Sequence, residues 1–263
     1  MILVFDVGNT EMTIGLFREA ELRAHWRIMT DVARTPDEFG VLLRSLIVAR
    51  GFNVDVVESV AICSVVPRVT QPLSAGCQQY FRVGAPLVVD ASSELPITLA
   101  VDEPLTVGAD RLINTLAASR LFARDAIVVD MGTAITFDCI TSDGIFLGGV
   151  IAPGVLTSAE TLTRRTSKLP ATELTVPTRV IGTRTEECIR AGVMFGAADA
   201  IDGIVRRIQA SWPRPQTPEV IATGGFAETM ATLCTTFDRV EPHLTLQGLQ
   251  IAHSLLRPGN VDR

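Results

Sequence analysis

Two short segments carry the residue types that phosphate chemistry needs. Asp6-Val7-Gly8-Asn9-Thr10 and Asp130-Met131-Gly132-Thr133-Ala134 each place a carboxylate two residues before a glycine, and they lie 124 positions apart, close to half of the 263-residue chain. A tight turn of small residues can aim consecutive backbone N–H groups at an anion, because no side chain keeps the backbone away. Gly8, Asn9 and Thr10 suit that task in one half, Gly132 and Thr133 in the other. An aspartate just ahead of such a turn can hold Mg²⁺ against the phosphates, directly or through water. The bland alternative is an Asp that caps its own turn; repetition at half-chain spacing favours the phosphate clamp.

A third segment, Gly108-Ala109-Asp110-Arg111, precedes a helical pattern through Leu112, Ile113, Leu116 and Leu121. Asp110 is placed for an N-cap. It is also placed to act as a general base toward a hydroxyl, with Arg111 gripping a carboxylate. Two glycine clusters, at 147–154 and 221–225, allow close approach of a ligand or simply close packing. The chain has one lysine, Lys168, and it follows Ser167. A Gly-Lys-Ser/Thr phosphate loop is therefore absent. Phosphate charge must be met by Mg²⁺, by backbone N–H groups and by arginine.

The elements that position these residues repeat as well. Residues 2–6 and 126–130 are short apolar runs closing on an aspartate, and two more strands follow each, at 12–17 and 22–28, and at 134–141 and 144–151. Thr35-Pro36-Asp37-Glu38 is a capping box with Pro at the first helical position, so a helix starts there and stops at Gly51. Further strands are expected at 59–66 and 86–90, and helices at 69–81, 111–123, 154–168 and 185–211. Three strands followed by alternating helix and strand thus occur twice. Duplication follows: an α/β protein of two similar lobes with a cleft between them, divided as residues 1–115 and 116–263.

The remaining composition sets limits. Net charge is −6 with no block of like charges, which argues against nucleic acid and acidic membranes as partners. No stretch has the length of a membrane span without charges, and Asp6 interrupts the N-terminal apolar run, so no signal peptide is expected. Five cysteines at wide spacing and three histidines at no zinc spacing point to reduced, buried thiols in a cytoplasmic protein.

Taken in order, Asp6-x-Gly-Asn-Thr10, Gly108-Ala-Asp-Arg111, Asp130-x-Gly-Thr133, Gly148-Gly-x-Ile-x-Pro-Gly154 and Thr223-Gly-Gly225 resemble type III pantothenate kinases. The similarity extends to Cys63-Ser-Val-Val-Pro67 and to Leu244-Thr-Leu-Gln-Gly-Leu249. The resemblance implies a duplicated ribonuclease-H-like, actin-like fold. It further implies ATP-dependent phosphorylation of pantothenate to 4′-phosphopantothenate, the first step towards coenzyme A, by a homodimer that needs Mg²⁺ and a monovalent cation, K⁺ or NH₄⁺. Carried over by motif, Asp6, Val7, Gly8, Asn9, Thr10, Glu11, Met12 and Thr13 would meet ATP, as would Thr133. Asp110 would accept the proton. Gly108, Ala109, Asp110, Arg111 and Thr185 would line the pantothenate site, and Asp130 would bind the monovalent cation. One departure stands out: Val101-Asp-Glu-Pro104 replaces the Tyr-x-Asn-Pro of many members. Two other readings share these features, an actin-like kinase or phosphatase for another small molecule and a regulatory binding protein of the same fold. Asp6, Asp110 and Asp130 together favour the enzyme.

Overall fold

The computed structural model describes residues 1–256. In chain order its elements are β1 (Ile2–Val7), β2 (Glu11–Arg18), β3 (Glu21–Met29), α1 (Pro36–Ala49), β4 (Ser59–Ser64), α2 (Pro67–Phe81), β5 (Leu87–Val89), β6 (Thr98–Leu99) and α3 (Ala109–Phe122). There follow β7 (Ala126–Met131), β8 (Ala134–Ile140), β9 (Ile145–Pro153), α4 (Val155–Arg165), α5 (Thr185–Ala210), β10 (Glu219–Thr223), α6 (Ala227–Met230), β11 (Arg239–Val240) and α7 (Leu244–Leu256). They form two compact units, Met1–Leu121 with α7, and Phe122–His243.

Each unit repeats one sheet topology. In the first, the strands run in the order β3-β2-β1-β4-β5; the second unit's own strands run β9-β8-β7-β10-β11. The central strand of each has an antiparallel neighbour on one side and a parallel neighbour on the other: β1 between β2 and β4, β7 between β8 and β10. Such a strand is covered on both faces, which is why Ile2–Val7 and Ala126–Met131 read as nearly continuous apolar runs. The duplication inferred from the repeated Asp-x-Gly segments is thus present in the topology.

Alternation along the central strands sorts their side chains by face. Leu3, Phe5 and Val7 join Phe39 and Leu43 of α1 and Leu73 and Cys77 of α2 in one core. Val4, on the other face, packs with Leu112, Ile113 and Leu116 of α3 and Leu246, Leu249 and Ala252 of α7. In the second unit, Ile127, Val129 and Met131 pack against Val155 of α4 and Met194, Ile201 and Val205 of α5.

The observed division differs from the expected one at 115/116. That point lies inside α3, whose ladder of hydrogen bonds it would cut, and α7 belongs to the first unit rather than the second. The reason is burial: the apolar stripe of α7 completes the second face of the first sheet. None of the five cysteines forms a disulfide, as expected. Cys188, however, is exposed, its Sγ donating to the Gly182 carbonyl (3.4 Å), while Cys63, Cys77 and Cys139 are buried. No helix among the described residues is long and apolar enough to cross a membrane.

α1 begins as its sequence dictates. The Thr35 hydroxyl accepts from the Glu38 N–H (3.3 Å), and the Glu38 carboxylate accepts from the Thr35 N–H (2.7 Å). These bonds hold the Glu38 carboxyl below its ordinary pKa. Thr35→Ala removes the hydroxyl arm of this box and is expected to cost about 1 kcal/mol of stability, read as a lowered urea midpoint with unchanged slope.

Candidate active site

The first acidic strand tip and its turn are fixed by register. Asp6 pairs with Thr13 on β2 and Cys63 on β4. After Val7 the chain reverses within three residues, closed by the Gly8 N–H donating to the Glu11 carbonyl (3.0 Å). The turn is braced from outside: the Thr30 hydroxyl donates to the Gly8 carbonyl (2.7 Å) and the Thr30 N–H to the Thr10 carbonyl (2.9 Å). The carboxylate of Glu11, which would repel an anion, lies 3.7 Å from the Arg27 guanidinium. Asn9 and Glu11 are exposed, Asp6, Gly8, Thr10 and Thr13 half-buried, and Val7 and Met12 face the core.

The second tip repeats this plan. Asp130 pairs with Thr136 on β8 and Thr223 on β10. Here the Gly132 N–H donates to the Ala134 carbonyl (2.9 Å), and the brace is Thr157, whose hydroxyl donates to the Thr133 carbonyl (2.6 Å). Both glycine clusters of the sequence converge on this turn. Gly154, the N-cap of α4, lies so close to the Gly132 and Thr133 carbonyls that a Cβ would collide with both. Gly224, at φ +89°, would bring a Cβ 2.5 Å from Asp130 Oδ1 and 2.6 Å from the Met131 N–H nitrogen. A left-handed backbone there excludes most other residues. Close packing of the loops against the turn and Asp130 is thus what requires glycine at these two positions.

Asp110 lies in the first turn of α3 but does not cap it. The Arg111 and Leu112 N–H groups both donate to the Gly108 carbonyl, so the helix starts two residues earlier than an Asp110 cap would require. The Asp110 side chain instead accepts from the Arg111 N–H (2.9 Å). Burial pushes its carboxyl above the ordinary value, outweighing that bond and the Arg111 charge. Gly108 and Arg111 are half-buried beside it, and Ala109 is buried. Thr185 is the first residue of α5, not its cap; Arg184 holds that position, and the Glu187 carboxylate accepts from the Thr183 N–H (2.9 Å). Asp102 and Glu103 of the divergent segment are both exposed.

Asp6, Gly8, Asn9, Thr10 and the Gly108–Arg111 segment therefore belong to the first unit, and Asp130, Gly132, Thr133 and Thr185 to the second. The hydroxyl braces, Thr30 and Thr157, carry no signature in sequence, because each bond spans more than twenty residues.

The type III pantothenate kinase family model matches residues 2–207. The chain belongs to that family. Solved structures of similar fold include a Baf-family transcriptional activator from Campylobacter jejuni, at 16% identity and a TM-score of 0.58 over 96% of this chain and 98% of that one. A 2-dehydro-3-deoxygalactonokinase from Sinorhizobium meliloti aligns at 12% identity and a TM-score of 0.57, over 98% and 100%. The activator of 2-hydroxyisocaproyl-CoA dehydratase from Clostridium difficile, solved with ADPNP bound, aligns at 13% identity and 0.54, over 95% and 92%. At these identities the likeness is one of fold. That fold is the duplicated actin-like α/β architecture of this type III pantothenate kinase family member.

The raised pKa of Asp110 has a stability consequence with a definite sign. The fold favours the neutral acid, so the stability it contributes is full below the unfolded-state pKa and is lost as pH rises through the folded-state value. Asp110→Asn, which stays neutral, should be more stable than the wild type at pH 7, and the gap should close towards pH 4. Urea denaturation at the two pH values measures it.

Proposed function

We propose that this protein uses ATP to phosphorylate pantothenate to 4′-phosphopantothenate, the first step towards coenzyme A. The observation that carries this reading is Asp110, a partly desolvated carboxylate at the head of α3 flanked by Gly108, Ala109 and Arg111, in a family of pantothenate kinases. The pantothenate hydroxyl donates to Asp110 while its oxygen attacks the γ-phosphorus of ATP. As that P–O bond forms, the bond to the β,γ-bridging oxygen breaks and the proton passes to Asp110, leaving ADP. In a loose transition state the proton leaves late, so orientation counts for more than basicity. Burial nevertheless raises the basicity of Asp110.

Arg111 takes the pantothenate carboxylate, a pairing its planar guanidinium suits. Thr185 and the Gly108–Ala109 backbone complete the substrate contacts. The turn from Asp6 to Thr13 receives the ATP phosphates on the N–H groups of Gly8, Asn9 and Thr10, and Thr133 adds a contact from the second turn. Among the described residues no cluster of three or more His, Cys, Asp or Glu could cage a metal ion. Mg²⁺ in phosphoryl transfer is held by one or two carboxylates plus the phosphates themselves, and Asp6 fits that mode. Asp130, the half-buried carboxylate at the second strand tip, would hold K⁺ or NH₄⁺, the role that the family resemblance implies for it. When bound, these cations offset the charge of the triphosphate.

The homodimer of this reading is supported by the exposed face of α5. Gly192, Gly196 and Ala200 line an apolar groove of about 420 Å³ with Ile135, Ala152 and Ile204. A Cβ on Gly192 or Gly196 would meet nothing within 4 Å among the described residues. Glycine inside a helix costs roughly 0.5–1 kcal/mol relative to alanine, and nothing among the described residues requires that cost. Close approach by a second copy would account for it. A cytoplasmic location accords with the substrates proposed.

Purified protein with MgATP is expected to convert pantothenate to its 4′-phosphate, faster in K⁺ or NH₄⁺ than in Na⁺. Turnover of a sugar with none of pantothenate would reject the substrate. Asp110→Asn should abolish turnover. The wild-type rate should fall as pH drops through the raised Asp110 pKa, because the base is then protonated. Asp130→Ala should blunt the K⁺ response. Sedimentation should give twice the chain mass, and Gly196→Glu should give the monomer.

A further inference from the structure

The terminal phosphates of the nucleotide bring more negative charge than the N–H groups of the Gly8–Thr10 turn can meet, and the single lysine lies far along the chain at Lys168. In the first unit, the arginine on β3 nearest the turn, Arg27, is engaged with Glu11 (3.7 Å). The next cation along the chain is Arg34, in the loop that joins β3 to α1. That loop is tied to the phosphate turn at its start, through the two bonds from Thr30 to the Gly8 and Thr10 carbonyls. It then tightens: the Asp31 carboxylate accepts from the Ala33 N–H (2.9 Å), and the Asp31 carbonyl accepts from the Arg34 N–H (3.3 Å). Arg34 is thereby held four residues from the point of attachment.

Its side chain is also held. The guanidinium lies 5.2 Å from the centre of the Phe39 ring, and Phe39 is fully buried in the core that contains Val7 and Met12, the residues flanking the turn. Nη1 is shielded from solvent and has no hydrogen-bond partner among the described residues. Glu38 is close enough to feel its charge, but that carboxylate is already occupied by the Thr35 N–H (2.7 Å) and hydroxyl (2.9 Å). A guanidinium stacked on an aromatic face with one nitrogen, Nη1, sheltered from water and lacking an acceptor carries a cost that a leucine or methionine at this position would avoid. An anion arriving at the turn supplies the acceptor.

We propose that Arg34 is a nucleotide-binding residue whose guanidinium donates to non-bridging oxygens of the terminal phosphates of ATP held by the Gly8–Thr10 turn. The inference rests on the ATP-dependent reading above and adds to it a phosphate ligand from the β3–α1 loop. Stacking on Phe39 fixes the plane of the fork, so lysine, a point charge on a flexible stem, replaces it only in part.

The test compares MgATP with adenosine, by calorimetry, on the wild type, Arg34→Gln and Arg34→Lys. A phosphate contact predicts a roughly tenfold weaker Kd for MgATP in Arg34→Gln, the scale of one lost charge-assisted hydrogen bond, with adenosine affinity unchanged and Arg34→Lys in between. Equal loss for both ligands would mean that the side chain only supports the fold, and unchanged MgATP affinity would mean that it meets no phosphate; either result overturns the inference. If Arg34→Gln does not fold, Arg34→Lys carries the same comparison. A wild-type protein that binds no MgATP would instead overturn the ATP reading itself, an outcome visible before any variant is made.

Discussion

A strand tip can offer a carboxylate and a row of N–H groups to one anion only if the chain beyond it doubles back at once and nothing with a Cβ fills the angle. In this protein that constraint is met twice with the same parts. Asp6 and Asp130 occupy matching positions on central strands, each one step before a residue whose side chain enters the core, Val7 and Met131. Each turn is closed through a glycine N–H and secured by a threonine hydroxyl from elsewhere, Thr30 or Thr157. The helices that cover each sheet hold its own central strand, and so the bend that follows it, in place.

Charge is handled with the same economy. Glu11 is answered by Arg27, and Asp110 is kept where desolvation outweighs its hydrogen bond to the Arg111 N–H. The two carboxyl groups of the first unit whose pKa values shift most tellingly do so in opposite senses for opposite reasons. Glu38, exposed and bonded to Thr35, is driven down by backbone and hydroxyl donors, which is a structural role at a helix start. Asp110, screened from water, is driven up by burial, which suits the proton-accepting role proposed for it.

What could be read from the chain alone was local or repeated. The capping box at Thr35–Glu38 announced α1 to the residue, and the recurring Asp-x-Gly at the end of an apolar run exposed the duplication. Tertiary choices were not legible. Asp110 has the residue type of an N-cap, yet the backbone of Gly108 takes that position. Gly154 and Gly224 read equally as packing or as binding, because only the folded turn shows their missing Cβ atoms beside the Gly132 and Thr133 carbonyls and Asp130. The midpoint division failed for a similar reason, since an apolar stripe on α7 says that something covers it but not which sheet. Thr30 and Arg34 left no trace at all, their significance arising from bonds across the β2–β3 ribbon and from stacking on Phe39.

The return of α7 to the first sheet has a bearing on how the protein is made. Residues 122–243 form an uninterrupted unit that can close while later residues are still being synthesised, whereas Val4, Ala61 and Leu112 await Leu246, Leu249 and Ala252. The half that emerges first from the ribosome is therefore the half that is finished last, and in the interval it shows a greasy, unroofed sheet to whatever holds nascent chains in the cell.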